Sequence, residues 1–253
     1  MSRNKLRVGE RAAHEIAHGV FLAQHSAEHI WGWGTPAGRI RAQRRGMLIA
    51  NGAGLRSGMF ALEIGCGTGL FTEMFVPSGA TIQAVDISVK LIEQARRRNL
   101  PPQQITFLAK RFEDCIGEGH FDAIIGSSIL HHLDLDEALP CLYALLKPGG
   151  VISFAEPNML NPQIFIQKKV PWIKVWVGDS PDETAINRWH FAQMLTAAGF
   201  ASISIRPFDW LHPATPVPLI PMVRRIGQWL EVMPIAYEFA GSVYIRARKR
   251  VAP

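Results

Sequence analysis

Apolar residues recur along this chain with two different periods, and between 60 and 155 the two take turns. Five short apolar runs, Phe60–Ile64, Thr81–Val85, Ile105–Leu108, Ala123–Gly126 and Val151–Ala155, are too short for helices and read as buried strands. Between them, Leu70–Phe75, Val89–Asn99 and Leu135–Leu146 follow helical spacing. Ser88 is placed to cap the second of these helices, and Pro148-Gly149-Gly150 stops the third. Strands alternating with helices predict a parallel sheet with both faces covered. Ahead of this core, 9–30 carries Ile16, Val20 and Phe21 at helical intervals, and 37–53 reads as a second, basic helix after Thr35-Pro36. Behind it, 157–187 breaks the rhythm with Pro157, Pro162, Pro171 and Pro181, and a segment of that length in a compact domain is usually functional. Arg188–Ala198 is predicted helical up to Gly199, and Ile203–Ile205 is a strand. Pro207–Pro221 holds five prolines and predicts no regular element. Val223–Val232 is an amphipathic helix and Ser242–Arg248 a last strand. The division expected is a helical cap over 1–57, a ligand-binding core over 58–156, and pocket-shaping insertions with the remaining core elements over 157–253, all within one overall domain.

The chemistry concentrates where the first strand ends. Ala61-Leu62-Glu63-Ile64 runs into Gly65-Cys66-Gly67-Thr68-Gly69, and Ala84-Val85-Asp86-Ile87 ends the next strand. A glycine turn between strand and helix brings backbone close to a ligand, because no Cβ intervenes. An acid about twenty residues further on is placed to hold a ribose diol. A dinucleotide fingerprint would put its last glycine at 70, which is Leu70; here it falls at 69.

This spacing, followed by Val85-Asp86-Ile87, resembles the class I S-adenosylmethionine-dependent methyltransferases. The resemblance continues through Phe121-Asp122-Ala123-Ile124-Ile125, Leu130-His131-His132-Leu133 and Leu146-Lys147-Pro148-Gly149-Gly150, covering roughly 58–155. It implies an α/β fold: a doubly wound, mostly parallel, seven-stranded sheet. Its last two strands would form an antiparallel edge hairpin, split here by an insertion over 207–240. It implies S-adenosylmethionine as cofactor, with the turn of Gly65, Cys66, Gly67 and Gly69 beneath the methionine moiety. Glu63 would order that turn, Asp86 would take the ribose hydroxyls, and Ile87 would contact the adenine face. Lys110-Arg111-Phe112-Glu113 departs from the family pattern at the adenine edge; Phe112 and Glu113 are the expected contacts. Ser127 would form the cleft floor.

Methyl transfer needs alignment, a dry pocket, and a base where the nucleophile carries a proton. His131 and His132 follow the fourth strand, where open α/β sheets place their ligands, and either is a candidate base or a packing residue. Trp31 and Trp33, each followed by glycine, are placed to close over cofactor or acceptor, or to anchor the cap. Glu156 and Asn158 are expected at the acceptor side on topology, with Trp189 and His190 closing its far side.

Composition narrows the acceptor only a little. The formal charge is +6, concentrated in Arg39–Arg45, Arg96–Arg98 and Arg246–Arg250, which suits nucleic acid, anionic lipid, an acidic substrate, or solubility alone. Base-amino methyltransferases resemble one another in an Asn/Asp-Pro-Pro-aromatic motif after the fourth strand. Here that place reads Gly126-Ser127-Ser128-Ile129, so nucleic acid is not the expected partner. A small-molecule or lipid-like acceptor is expected instead. Ribose or ring-carbon methylation of RNA, and a non-catalytic cofactor-binding module, are the alternatives. The apolar and basic stretch from Leu219 to Leu230 suits contact with a membrane surface. His14-Glu15-Ile16-Ala17-His18 fits the helical zinc-protease motif, but a third histidine would fall on Gln24, and no metal is expected. Cys66, Cys115 and Cys141 lack metal or disulfide spacing, and the N-terminus lacks an apolar signal run, so a cytoplasmic protein is expected.

Overall fold

The computed structural model describes residues 3–115, 121–170, 172–173 and 184–251, with the side chains of 3–10 left aside. Seven strands form one sheet: β1 (Phe60–Ile64), β2 (Thr81–Asp86), β3 (Ile105–Ala109), β4 (Phe121–Ser127), β5 (Leu146–Pro157), β6 (Ala201–Phe208) and β7 (Ser242–Arg248). Their order is β3-β2-β1-β4-β5-β7-β6. The first five strands are parallel, and β7 runs antiparallel between β5 and β6. The sheet is therefore doubly wound around β1 and β4, and its crevice opens at their carboxyl ends. The edge hairpin of β6 and β7 is split by 209–241, as the proline-rich insertion implied.

Side-chain alternation along the strands builds two cores. Leu62, Ile124, Phe154 and Ile245 face one layer with Leu139, Leu142, Phe191 and Phe200. Ala61, Ala123, Ile125 and Ala84 face the other, under Ile49, Phe75 and Ile92. Both faces are buried, which is why the strands read as continuous apolar runs.

The helices are α1 (Arg3–Gln24), α2 (Ala27–Ile30), α3 (Pro36–Ala53), α4 (Leu70–Phe75), α5 (Val89–Arg96), α6 (Leu135–Leu145), α7 (Pro162–Lys169), α8 (Arg188–Ala197) and α9 (Ile220–Leu230). The single helix expected over 9–30 is two helices, broken at Ser26, which adopts φ 60°. Thr35 caps α3 by accepting the Gly38 N–H, with Pro36 in the first turn. Two elements go beyond the sequence expectation. Asn161 caps α7 within the stretch that the prolines mark as irregular. Pro221 lies in the first turn of α9, where a missing N–H costs nothing, so that helix starts before Val223. Pro171 and Pro181, and with them 174–183, lie outside the described residues. Among the described residues no helix is long and apolar enough to cross a membrane.

Candidate active site

A cavity of about 1240 Å³ opens at the carboxyl ends of β1, β2 and β4. Its inner wall is the glycine turn. Gly65 and Gly67 have φ of +63° and +53°, a left-handed conformation that strains any other L-residue. Both are also crowded: a Cβ on Gly65 would come within 2.4 Å of Ile129, and one on Gly67 within 3.0 Å of Trp31. The turn is fastened to β2 by the Cys66 N–H, which donates to the Val85 carbonyl at 3.1 Å.

Asp86 completes that fastening. Its Oδ2 accepts the Gly67 N–H at 2.9 Å and its Oδ1 accepts the Ser88 N–H at 2.8 Å. Burial pushes its carboxyl above the usual range even against these two donors. Each oxygen keeps acceptor capacity beyond its one backbone bond, and Asp86 lines the cavity. A vicinal diol matches that capacity. Glu63 lies behind the turn, 1% exposed, and accepts from the Thr72 hydroxyl at 2.6 Å. Burial pushes its carboxyl up to about 8, so Glu63 is protonated at neutral pH.

The opposite wall follows β4. Leu130–His132 form a single helical turn. Glu156, at the end of β5, is fully buried and reaches back to that turn. Its Oε1 accepts the N–H groups of Ile129 (2.9 Å) and Leu130 (3.0 Å). Its Oε2 lies 2.6 Å from His131 Nδ1. Burial alone would raise the Glu156 pKa, but His131 and the two N–H donors carry it below the usual carboxylate range. An ionised Glu156 fixes the proton of His131 on Nδ1, which makes Nε2 the basic atom of the neutral ring. The His132 ring stands 4.2 Å from that of His131, and its Nδ1 is 3.1 Å from Glu15 of α1 across the cavity.

Arg45 escaped sequence reasoning. It sits on the inward face of α3 with Ala42, Gly46, Ile49 and Ala53. A charge at core-facing helical spacing was the available signal. Neighbouring Arg41 and Arg44 pair with Asp209 (2.8 Å) and Glu231 (2.7 Å). Among the described residues Arg45 has no such acid. Its Nη1 donates to Ser128 Oγ (2.8 Å) and the Ala155 carbonyl (3.0 Å), and its Nη2 to Ser242 Oγ (2.6 Å). Its Nε has no partner among the described residues, and burial lowers its pKa to about 10. The Trp33 ring lies 5.3 Å from this guanidinium. A buried cation on a cavity wall, bonded only to neutral oxygens, is complementary to an anion.

The outer wall comes from the N-terminal helices, α7 and the stretch 209–214. Trp31 lies against Gly67, and Trp33 packs edge-to-face on Phe71 at 5.6 Å. Glu28 of α2 accepts from Thr68 at 2.9 Å and also pairs with Arg98, tying the cap to the glycine turn. His14 and His18 face the cavity with Glu15 between them. Cys66, Ile87, Phe112, Glu113, Ser127, His131 and His132 all line the cavity. Glu113 is held by Arg111 at 2.8 Å.

Several placements correct the sequence reading. Glu156 does not open toward an acceptor; its three polar contacts are turned into the β4 loop. Asn158 is also fully buried, donating to the carbonyls of Glu238 (2.8 Å) and Ala240 (2.7 Å), so it braces the 236–240 turn. Trp189 and His190 lie on the exposed face of α8, which Asn187 caps, and neither lines the cavity. Gly69 caps α4 at φ +76° and packs on Ala95 and Phe107, and neither it nor Glu63 forms part of the cavity wall.

Residues 62–152 match a family model described as a methyltransferase domain. Nodulation protein S of Rhizobium tropici is 32% identical over 107 residues, 41% of this chain and 45% of that protein. The ubiquinone biosynthesis O-methyltransferase of Xanthomonas campestris pv. campestris (strain B100) is 32% identical over 105 residues, 40% and 44% of the two chains. The matched part thus spans less than half the length of these relatives. Among solved structures, a possible histamine N-methyltransferase from Thermotoga maritima superposes with a TM-score of 0.63 at 17% identity, covering 92% of this chain and all of that one. The N-methyltransferase NodS from Bradyrhizobium japonicum WM9, in complex with S-adenosylhomocysteine, gives 0.56 at 18% identity over 85% and 89%. The fold is that of these enzymes.

Proposed function

We propose that this chain, whose residues 62–152 match a methyltransferase-domain model, transfers a methyl group from S-adenosylmethionine to a small-molecule or lipid-like acceptor. The observation that carries the reading is Asp86: a buried carboxylate pinned to the glycine turn by Gly67, with acceptor capacity left on each oxygen at the cavity wall. The cavity residues fit the cofactor part by part. Asp86 takes the two ribose hydroxyls. Ile87 and Phe112 supply apolar surface for adenine, with Glu113 at its edge. The bare backbone of Gly65–Gly67 runs beneath the amino-acid tail, and Arg45 meets its carboxylate. That pairing gives the buried guanidinium the anion it otherwise lacks. Ser127 stands on the cavity floor beside Arg45 at 3.3 Å.

When bound, S-adenosylmethionine presents a methyl group on a positively charged sulfur, an already activated leaving group. The protein's work is then alignment and exclusion of water. Trp31 and Trp33, held by α2 and α3, cover the glycine turn and keep solvent from it. His131 Nε2 takes a proton from an acceptor hydroxyl or ammonium, and Glu156 acts as the positioning residue that holds the ring's tautomer. The crystal structure of the protein soaked with S-adenosylhomocysteine tests this reading. Ribose density within hydrogen-bond distance of Asp86 is expected; ligand bound elsewhere refutes it.

A further inference from the structure

The rim of the cavity carries a surface that methyl transfer does not use. Helix α9 has two apolar stripes. Ile220, Val223 and Gly227 point inward, packing near Ala37, Leu211 and Trp210. Met222, Ile226 and Trp229, spaced i, i+4, i+7, share the opposite, solvent side and are 52%, 48% and 61% exposed. Val232 and Ile235, in the turn beyond the helix, are each 77% exposed. A soluble face does not gather large apolar side chains in this way without an occupant. Arg224 and Arg225 are exposed on the same helix.

The surface is joined to the cavity. Asn161, the cap of α7, donates to the Phe239 carbonyl at 2.8 Å, and Gln163 contacts His212 at 3.0 Å. The segments on either side of α9 are thereby fastened to α7, whose Ile164 and Gln167 line the cavity while Phe165 and Ile166 are half exposed. Lys169 follows them on the surface.

We infer that the outward stripe of α9 docks this protein on an anionic lipid bilayer, lying in the interface with its arginines at headgroup level. Three features select that occupant. The stripe mixes aliphatic residues with a tryptophan, the composition that suits the apolar-polar boundary. The charges on the helix itself, Arg224 and Arg225, are both basic and exposed, while the acids beyond it, Glu231 and Glu238, are tied to Arg44 and Arg188, as attraction to acidic headgroups requires. A second copy of the chain docked stripe to stripe about a two-fold axis would instead bring like arginines together. The consequence for the proposed activity is that the cavity rim would face the phase in which a lipid-like acceptor is dissolved.

Co-sedimentation with phosphatidylcholine vesicles, with and without phosphatidylglycerol, tests the inference on the full chain. Wild type is expected to bind the phosphatidylglycerol vesicles and to release them as salt is raised. The triple variant Met222→Ser, Ile226→Ser, Trp229→Ser and the pair Arg224→Glu, Arg225→Glu should each weaken binding at least about tenfold. Both should keep wild-type affinity for S-adenosylhomocysteine, which shows that they fold. Equal vesicle binding by wild type and both variants overturns the inference, as does no binding by wild type. A stripe variant that turns a dimer into a monomer in sedimentation, with vesicle binding unchanged, also overturns it and assigns the face to a second copy. If wild type fails to bind S-adenosylhomocysteine, the cofactor reading falls while vesicle binding is judged separately.

Discussion

Glu63→Gln should remove part of the protein's dependence on pH. Glu63 is buried behind the glycine turn, its carboxyl pushed from 4.5 up to about 8 chiefly by loss of solvent, with the Thr72 hydroxyl opposing the shift and Asp86 adding to it. Between those two values the folded state holds a proton that the unfolded state has lost. Stability then falls with rising pH by about 1.4 kcal/mol per unit. The contribution is whole below the unfolded value and is lost progressively up to the folded one. Gln mimics the protonated acid: it fills the same volume, keeps an oxygen for Thr72 at its 2.6 Å position, and does not titrate. The difference in unfolding free energy, variant minus wild type, should therefore climb by about 2.7 kcal/mol between about pH 5.5 and 7.5. Urea unfolding followed by tryptophan fluorescence at each pH gives both curves, and groups common to both cancel in the difference. A flat difference across that window would mean that Glu63 is ionised in the fold, and would refute the burial argument.

Arg45→Met should weaken S-adenosylhomocysteine about ten- to a hundredfold, the worth of a charge-assisted hydrogen bond. The same variant should leave 5′-methylthioadenosine, which has no carboxylate, within about twofold; calorimetry with both ligands separates a carboxylate anchor from a general support of the cavity. Glu156→Ala strands the N–H groups of Ile129 and Leu130 and the Nδ1–H of His131, and should cost about 3–5 kcal/mol of stability at neutral pH by urea titration. Because the Glu156 pKa is lowered in the fold, its contribution is present above the unfolded carboxylate value. It should fade as pH falls through the folded one, so the gap between wild type and variant should narrow in acid.

What the sequence made legible is what backbone geometry dictates. The strands at 60–64, 81–86 and 121–127 announce themselves because both their faces are buried, so most positions are apolar, the exceptions being Glu63, Thr81, Gln83, Asp86, Asp122 and Ser127. Gly65 and Gly67 are legible because their positive φ and the crowding by Ile129 and Trp31 leave no other residue type. Asp86 is legible because it ends a strand at the carboxyl edge of such a sheet. Arg45 was not, because a basic run on a helix looks like a solvated face until the sheet shows which side it packs on. Glu156 and Asn158 were placed by topology on the cleft side, yet their side chains turn inward. Topology fixes where a strand ends, whereas the nearest unsatisfied donors decide where a buried polar side chain points. Trp189 and His190 failed for a related reason: a helical residue's face is set by packing on β6 rather than by proximity in sequence to the acceptor segment. Ser26 broke the first helix without a proline or glycine to warn of it.

Titration of S-adenosylhomocysteine into wild type and Asp86→Ala by calorimetry decides whether the glycine turn and Asp86 together hold the adenosyl group. Wild type should bind saturably and the variant should lose about a hundredfold in affinity, two charge-assisted hydrogen bonds to the diol being removed together. Equal affinity of the two proteins, or no binding by wild type, would contradict that assignment.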